Sequence, residues 1–306
     1  NHIITVATEH KAVLDTCKHL EKKGAELCYL PVSHDGLIDL SQLESAIRPT
    51  TILIAAMFAN NEIGVIQPIN EISSIARKHN IIFFSDSSQA AGKVPVDVNQ
   101  HGIDLLALSA HKMYGPKGVG ALYVRRRDPR VKIVAQMDGG GHERNMRSGT
   151  LNVPAIVGFG KACVWSKKEM EAESKRLSSL RDKLESGLLK IEQSFVNGSR
   201  EHRLPHVTNM SFNFIRGEGL ILSFNKAVAV SSGSACTSAS LEPSYVLKAL
   251  EVPDDLALSS IRFGLGRFNT EEEVDFVVER VTESVNRLRE GSPQWELFKD
   301  GIRVGE

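Results

Sequence analysis

The sequence predicts an α/β protein: a mainly parallel sheet with flanking helices, followed by a smaller α+β C-terminal domain. Three observations carry this. Through the first 150 residues, apolar runs of four to seven residues alternate with helical stretches, the pattern of βαβ units on a parallel sheet. After about residue 150 a long charged helical stretch leads into a mixed set of strands and helices. The length of 306 residues suits about two domains. A boundary near residue 170 gives domains at 1–170 and 171–306.

Residues 3–6 form a short apolar run with β-branched members, expected as a strand. A helix is expected over 11–23 and a second strand over 27–31. Asp39 and Ser41 offer N-caps for a helix through residue 47. Residues 51–57 are strongly apolar and lead into the loop Asn60-Asn61-Glu62-Ile63-Gly64. Pro68 suits the first turn of a helix over 68–79. The runs 81–84 (ending at Ser85-Asp86), 104–108 and 119–124 read as further strands. Beyond them, helices are expected over 153–162 and 166–192, strands over 209–215 and 227–230, a helix over 244–250, a strand over 260–263 and a helix over 270–288. Residues 231–240 are a low-complexity stretch of Ser, Gly, Ala and Thr around Cys236.

Composition narrows the function. Hydrophobic residues make up 42% and charged residues 24%, enough for a sizeable core and too apolar for a disordered chain. Lys plus Arg and Asp plus Glu are 37 each, so no global field draws nucleic acid or an anionic membrane. No run of 18 apolar residues offers a transmembrane helix. The four cysteines, at 17, 28, 163 and 236, have no CxxC spacing, which points to a reducing compartment. No His/Cys/acid cluster has zinc-like spacing, so no metal is expected. The chain opens on a strand, without an initiator Met or a targeting segment. It reads as beginning inside its fold.

In an open parallel sheet, ligands sit at the carboxyl ends of the strands. Thr8, Glu9 and His10 follow the first apolar run. Asn60 and Asn61 follow 51–57, Asp86 follows 81–84, and Ser109, His111 and Lys112 follow 104–108. An Asp and a Lys at such ends suggest pyridoxal 5′-phosphate (PLP): the Lys forms a Schiff base with the aldehyde and the Asp keeps the pyridine nitrogen protonated. A Gly-rich cationic loop, Gly139-Gly140-Gly141-His142-Glu143-Arg144 with Arg147-Ser148-Gly149-Thr150, could bind an anion or be a plain surface turn. Cys17, Cys28 and Cys163 lie in helical or strand-like runs and read as small buried hydrophobes. Cys236, among small polar residues, reads as an accessible and reactive thiol.

Taken together, the motifs resemble a PLP-dependent cysteine desulfurase of the fold-type I, aminotransferase class V group, in the branch that supplies sulfur for iron–sulfur cluster assembly. The resemblance rests on Thr8-Glu9-His10-Lys11, Asn60-Asn61-Glu62-Ile63-Gly64, Ser85-Asp86-Ser87-Ser88-Gln89, Ser109-Ala110-His111-Lys112, Arg147-Ser148-Gly149-Thr150, the Cys236 loop and Ser260-Ile261-Arg262-Phe263, in family order over nearly the whole chain. It implies that Lys112 carries the cofactor and moves protons at the substrate carbon. Asp86 pairs with the pyridinium nitrogen, and Gln89 bonds the ring hydroxyl. His10 stacks on the ring and acts as acid/base near the substrate thiol. Ser109 and His111 bind the phosphate. Thr150 reaches the phosphate of a partner subunit, which implies a homodimer. Asn61 and Arg262 hold the substrate carboxylate, and Asn61 also contacts the cofactor. Cys236 attacks the substrate sulfur, so that L-cysteine becomes L-alanine and a persulfide. An iron–sulfur scaffold protein and other sulfur acceptors are the implied partners, with no nucleic acid and no membrane.

The family pattern has an N-terminal phosphate-binding segment before Asn1 and a C-terminal tail beyond Glu306. Ser87 stands where the family has Ala or Thr, and Leu258 where it has His. Two other readings are kept: another class V aminotransferase, and a non-catalytic homologue that acts through dimerisation or partner binding. A bacterial cytoplasm and a mitochondrial matrix both suit the sequence.

Overall fold

The alternating first half builds a six-stranded sheet in the computed structural model of the chain, which describes residues 1–232 and 242–302. The elements run in order as β1 (His2–Val6), α1 (Lys11–Glu21), β2 (Glu26–Leu30), α2 (Leu40–Ser45), β3 (Thr51–Ala55), α3 (Ile69–Lys78), β4 (Ile82–Asp86), β5 (Leu105–Ser109) and β6 (Gly120–Val124). Sheet order is β2-β1-β3-β4-β5-β6. The first five strands are parallel and β6 is antiparallel to β5. The carboxyl ends of β1, β3, β4 and β5 therefore lie side by side on one edge. Gly120 lets β6 close against β5, because a Cβ there would run into the Leu108 carbonyl oxygen.

Local chemistry sets the helices of this half. Asp39 caps α2, its carboxylate accepting from the N–H groups of Ser41 (2.8 Å) and Gln42 (3.3 Å). Pro68 precedes α3, which buries Ile69, Ile72 and Ala76 on one face. Arg77 and Lys78 end it, where cations offset the carbonyl end of the helix dipole. Ile4, Ile54 and Phe83 from adjacent strands are fully buried at the centre of the sheet.

Expectation and structure part at residue 163. Helix α4 (Val153–Leu188) is one continuous helix of 36 residues, not two. No Gly or Pro stands between 162 and 166, so nothing breaks it there. The chain divides within it into two compact units: Asn1–Pro31, Ile38–Asn60 and Gln67–Ala172 form the first, and Val32–Leu37, Asn61–Ile66 and the chain from Glu173 form the second.

The second unit holds β7 (Ser194–Val196), β8 (Val207–Phe212), α5 (Gly217–Phe224), β9 (Ser231–Ser232), α6 (Tyr245–Ala249), α7 (Asp254–Leu258), β10 (Ser260–Gly264), α8 (Glu271–Glu290) and α9 (Pro293–Lys299). Its sheet order is β7-β8-β10-β9, antiparallel throughout. The strand expected over 227–230 is absent; the pairing to β10 is made by Ser231 and Ser232 instead. Leu177, Leu184, Phe212, Ile261 and Val281 centre the main core, and Ile63 and Val65 pack with Val246, Leu247 and Leu250 in a second cluster. Buried Glu185 on α4 accepts from Arg200 (2.9 Å), Thr208 (2.9 Å) and Arg203. Among the described residues, no helix is long and apolar enough to cross a membrane.

Candidate active site

Each strand end of the first unit delivers its polar residue through a short, hydrogen-bonded turn. After β1, His10 becomes the N-cap of α1, and its Nδ1 accepts the Ala12 N–H at 3.1 Å. The bond fixes the ring and makes Nδ1 the lone-pair nitrogen, so the neutral imidazole carries its proton on Nε2. After β4, Asp86 is half-buried and its Oδ1 accepts the Ser88 N–H at 2.9 Å. Gln89 follows in a turn closed by the N–H groups of Ala90 (3.1 Å) and Ala91 (2.9 Å) on the Ser87 carbonyl. Ser87, where the family has Ala or Thr, is buried with its hydroxyl 3.5 Å from that of Ser85.

After β5, residues Ala110–Lys112 make a 3-10 turn. Ala110 and Met113 anchor it in a small cluster with Ala91 and Phe159, while His111 and Lys112 stay exposed. Gly115 folds back to donate its N–H to the Ala110 carbonyl at 2.9 Å. A Cβ on Gly115 would sit 3.0 Å from the Ala110 Cβ, so the Gly after the Lys has a packing reason. The Ser109 hydroxyl lies 3.1 Å from Nδ1 of His111. Lys112 makes no ion pair among the described residues. Thr150 is exposed in the loop after β6, where Glu143, Arg144 and Asn145 all take positive φ.

Asn61 belongs to the second unit. Asn60 stays with the first unit, its Nδ2 donating to the Thr8 carbonyl at 2.8 Å. Asn61 begins a segment of the second unit, where its carbonyl accepts from Nη1 of Arg262 at 2.8 Å. Nη2 of Arg262 donates to the Ser231 hydroxyl at 3.2 Å. Among the described residues, two of the five guanidinium donors are thus spent on placing the fork. The buried side-chain oxygen of Asn61 has no hydrogen-bond partner among the described residues. Cys236 lies outside the described residues.

Three groups were not assigned a role from sequence. Glu9 is fully buried behind His10 and its Oε1 accepts the Met57 N–H. Burial pushes its carboxyl up to about 8, a rise that the Met57 N–H opposes and the charge of Asp86 adds to. Glu62 accepts from the Ser244 hydroxyl at 2.5 Å, and Ser231 supports Arg262. Glu9 and Glu62 both stand inside recognisable motifs, which was the available signal.

These residues fit PLP on their own chemistry. A carboxylate steadied by a backbone N–H suits a pyridinium nitrogen. A hydroxyl and an imidazole beside an exposed amine suit a phosphate and an aldehyde on one small ring.

Comparison with known proteins agrees. The aminotransferase class-V family pattern matches residues 1–277. The cysteine desulfurase IscS of Pectobacterium carotovorum is 56% identical over 303 residues, covering 99% of this chain and 74% of the relative. That of Photorhabdus laumondii is 57% identical over 301 residues, covering 98% and 74%. Among solved structures, a NifS-like protein superposes with a TM-score of 0.86 at 37% identity, over 94% of this chain and 76% of that one. SspA in complex with cysteine gives 0.73 at 36%, over 88% and 74%. The chain belongs to the class V aminotransferases and, within them, to the PLP-dependent cysteine desulfurases. It is an enzyme of sulfur transfer that serves iron–sulfur cluster assembly.

Proposed function

We propose that this chain converts L-cysteine to L-alanine and holds the sulfur as a persulfide on Cys236, for transfer to an iron–sulfur scaffold protein and to thio-cofactor or tRNA thiolation. The observation that carries the proposal is the convergence of His10, Asp86 and Lys112 on neighbouring carboxyl ends of one parallel sheet. When bound there, PLP supplies an electron sink for charge developing at the substrate carbon. Asp86 holds the cofactor ring nitrogen in its charged form. Gln89 would bond the ring hydroxyl, Asn61 would contact the cofactor, and Ser109 and His111 would take the phosphate. Lys112 anchors the cofactor and then moves a proton at the α-carbon. His10, with its Nε2 proton free, stacks on the ring and protonates or deprotonates near the substrate thiol. Arg262 forks onto the substrate carboxylate beside Asn61. Cys236 accepts the sulfur.

The first unit is the PLP-binding domain in this reading, and the second is the smaller domain that carries the Cys236 loop. A homodimer completes the site through Thr150. Supporting it, α4 exposes Val153, Ile156, Val157 and Val164 at helical spacing, an apolar stripe a single chain leaves in water. The bacterial origin of the relatives favours a bacterial cytoplasm over a mitochondrial matrix.

The test is a visible absorption spectrum of the purified chain, with and without added PLP, before and after L-cysteine. The expected result is a yellow band that is lost in Lys112→Ala and shifts with cysteine. A chain that stays colourless in excess PLP overturns the reading and brings forward the partner-binding alternative.

A further inference from the structure

The loop that follows β3 is tied on both sides. Toward β1, Met57 donates its N–H to Oε1 of Glu9, and Asn60 donates to the Thr8 carbonyl at 2.8 Å. Toward β4, Phe58 donates its N–H to the carbonyl of Asp86 itself at 2.9 Å. A chain of bonds therefore runs from the turn that carries His10, through Glu9, Met57 and Phe58, to the end of β4 that carries Asp86. Glu9 is the one link in that path made by a side chain, and it is fully buried. A buried carboxyl is costly unless it is placed with purpose or kept neutral.

We propose that Glu9 is a positioning residue of the reaction: it holds the His10 turn in register with Asp86 across the edge of the sheet. The inference rests on the roles proposed above for His10 and Asp86. Glu9 touches neither substrate nor cofactor in this assignment. It acts through the turn it fixes.

Its protonation supplies a second line of argument. With its titration pushed up to about 8, first by burial and then by Asp86, the acid is uncharged at neutral pH. The ionisable groups that face it include Asp86 from β4 and Cys17 from α1, with His10 next in the chain. The loop from Met57 to Asn60 contributes none. An ionised Glu9 would set a second negative charge near Asp86, so the register it holds is that of the neutral form.

The test compares Glu9→Gln and Glu9→Leu in the cofactor-loaded full chain. Gln keeps an oxygen acceptor for Met57 and cannot ionise; Leu keeps the bulk and loses the acceptor. Glu9→Leu should lower kcat roughly ten- to a hundredfold, the scale of an ångström-level misplacement, with KM for L-cysteine changed less than about threefold. Glu9→Gln should recover most of that loss at pH 7. A folded Glu9→Leu chain with the kcat of the parent overturns the proposal, as does a Glu9→Gln chain as impaired as Glu9→Leu. The melting temperature against pH gives a readout independent of turnover and usable should the Leu chain not fold. Because the folded acid titrates above the unfolded one, its contribution is full below about 4.5 and is lost as pH rises toward about 8. Wild type should therefore fall progressively below Glu9→Gln across that window and run parallel to it above. Identical profiles would remove the buried-acid argument and the proposal with it. His10→Ala and Asp86→Asn separate the two failures: if both leave the cofactor band and turnover unchanged, the site assignment itself is wrong, whatever Glu9 does.

Discussion

At the scale of the residue, the proposal divides the chemistry between Arg262, which holds, and Cys236, which accepts. Arg262 is placed by Asn61 and Ser231 before any ligand arrives. Replacing it by Lys keeps the charge and discards the fork. Arg262→Lys is expected to raise KM for L-cysteine at least about tenfold with a smaller fall in kcat, since bidentate recognition is lost; steady-state alanine release measures both. Cys236→Ala is expected to leave the cofactor band in place and abolish the persulfide. Full sulfide release without an added thiol in that variant would show the nucleophile to be another group. The placement of His10, Asp86 and Lys112 at strand ends could be read from sequence because each stands just past an apolar run. The role proposed for Glu9 could not, because it depends on burial and on a backbone N–H 48 residues away.

Elements were legible where one local signal dominated. Helix α8 has its capping box written in Thr270 and Glu273, and both bonds form. Thr270→Ala should lower stability by about 1 kcal/mol, read by chemical denaturation, without altering the cofactor band. Helix α5 was not expected because Gly217 and Gly219 look like loop residues. Gly217 is there for close approach, since a Cβ would strike the Leu258 carbonyl oxygen. Helix α9 had a readable start in Ser292 and Pro293, but only seven residues of length. The join of α4 to β8 depends on Glu185. Burial alone would raise its titration, but hydrogen bonds from Arg203 and Thr208 and the charges of Arg203 and Arg200 carry it below its ordinary value. That stabilisation is present above about pH 4.5 and is lost as pH falls through the lowered folded value. Glu185→Gln should cost roughly 3–5 kcal/mol at pH 7 by leaving buried Arg203 with only the half-exposed Asp182 as a charge partner. It should also flatten the acid limb of the stability profile.

At the scale of the whole molecule, the alternating pattern of the first half foretold the parallel sheet, because its strands are short and apolar and the first three are each followed by a helix. The make-up of the second unit was not foretold. It draws Val32–Leu37 and Asn61–Ile66 from the first half of the chain, and no composition shift marks those segments. The proposed homodimer is expected to appear by light scattering at twice the 33.6 kDa chain mass. Val157→Asp with Val164→Asp should shift it to monomer, with weaker PLP retention through loss of Thr150. The borrowed segments also bear on synthesis. Glu62 leaves the ribosome 182 residues ahead of Ser244, the group that takes up its carboxylate. At about 5–20 residues per second, that is on the order of ten to forty seconds of waiting. Through that interval Ile63 and Val65 have none of their later partners Val246, Leu247 and Leu250. The nascent chain must shield the apolar strip at Ile63 and Val65 until residues 246–250 emerge, so a ribosome stalled before them would hold that strip without its cover.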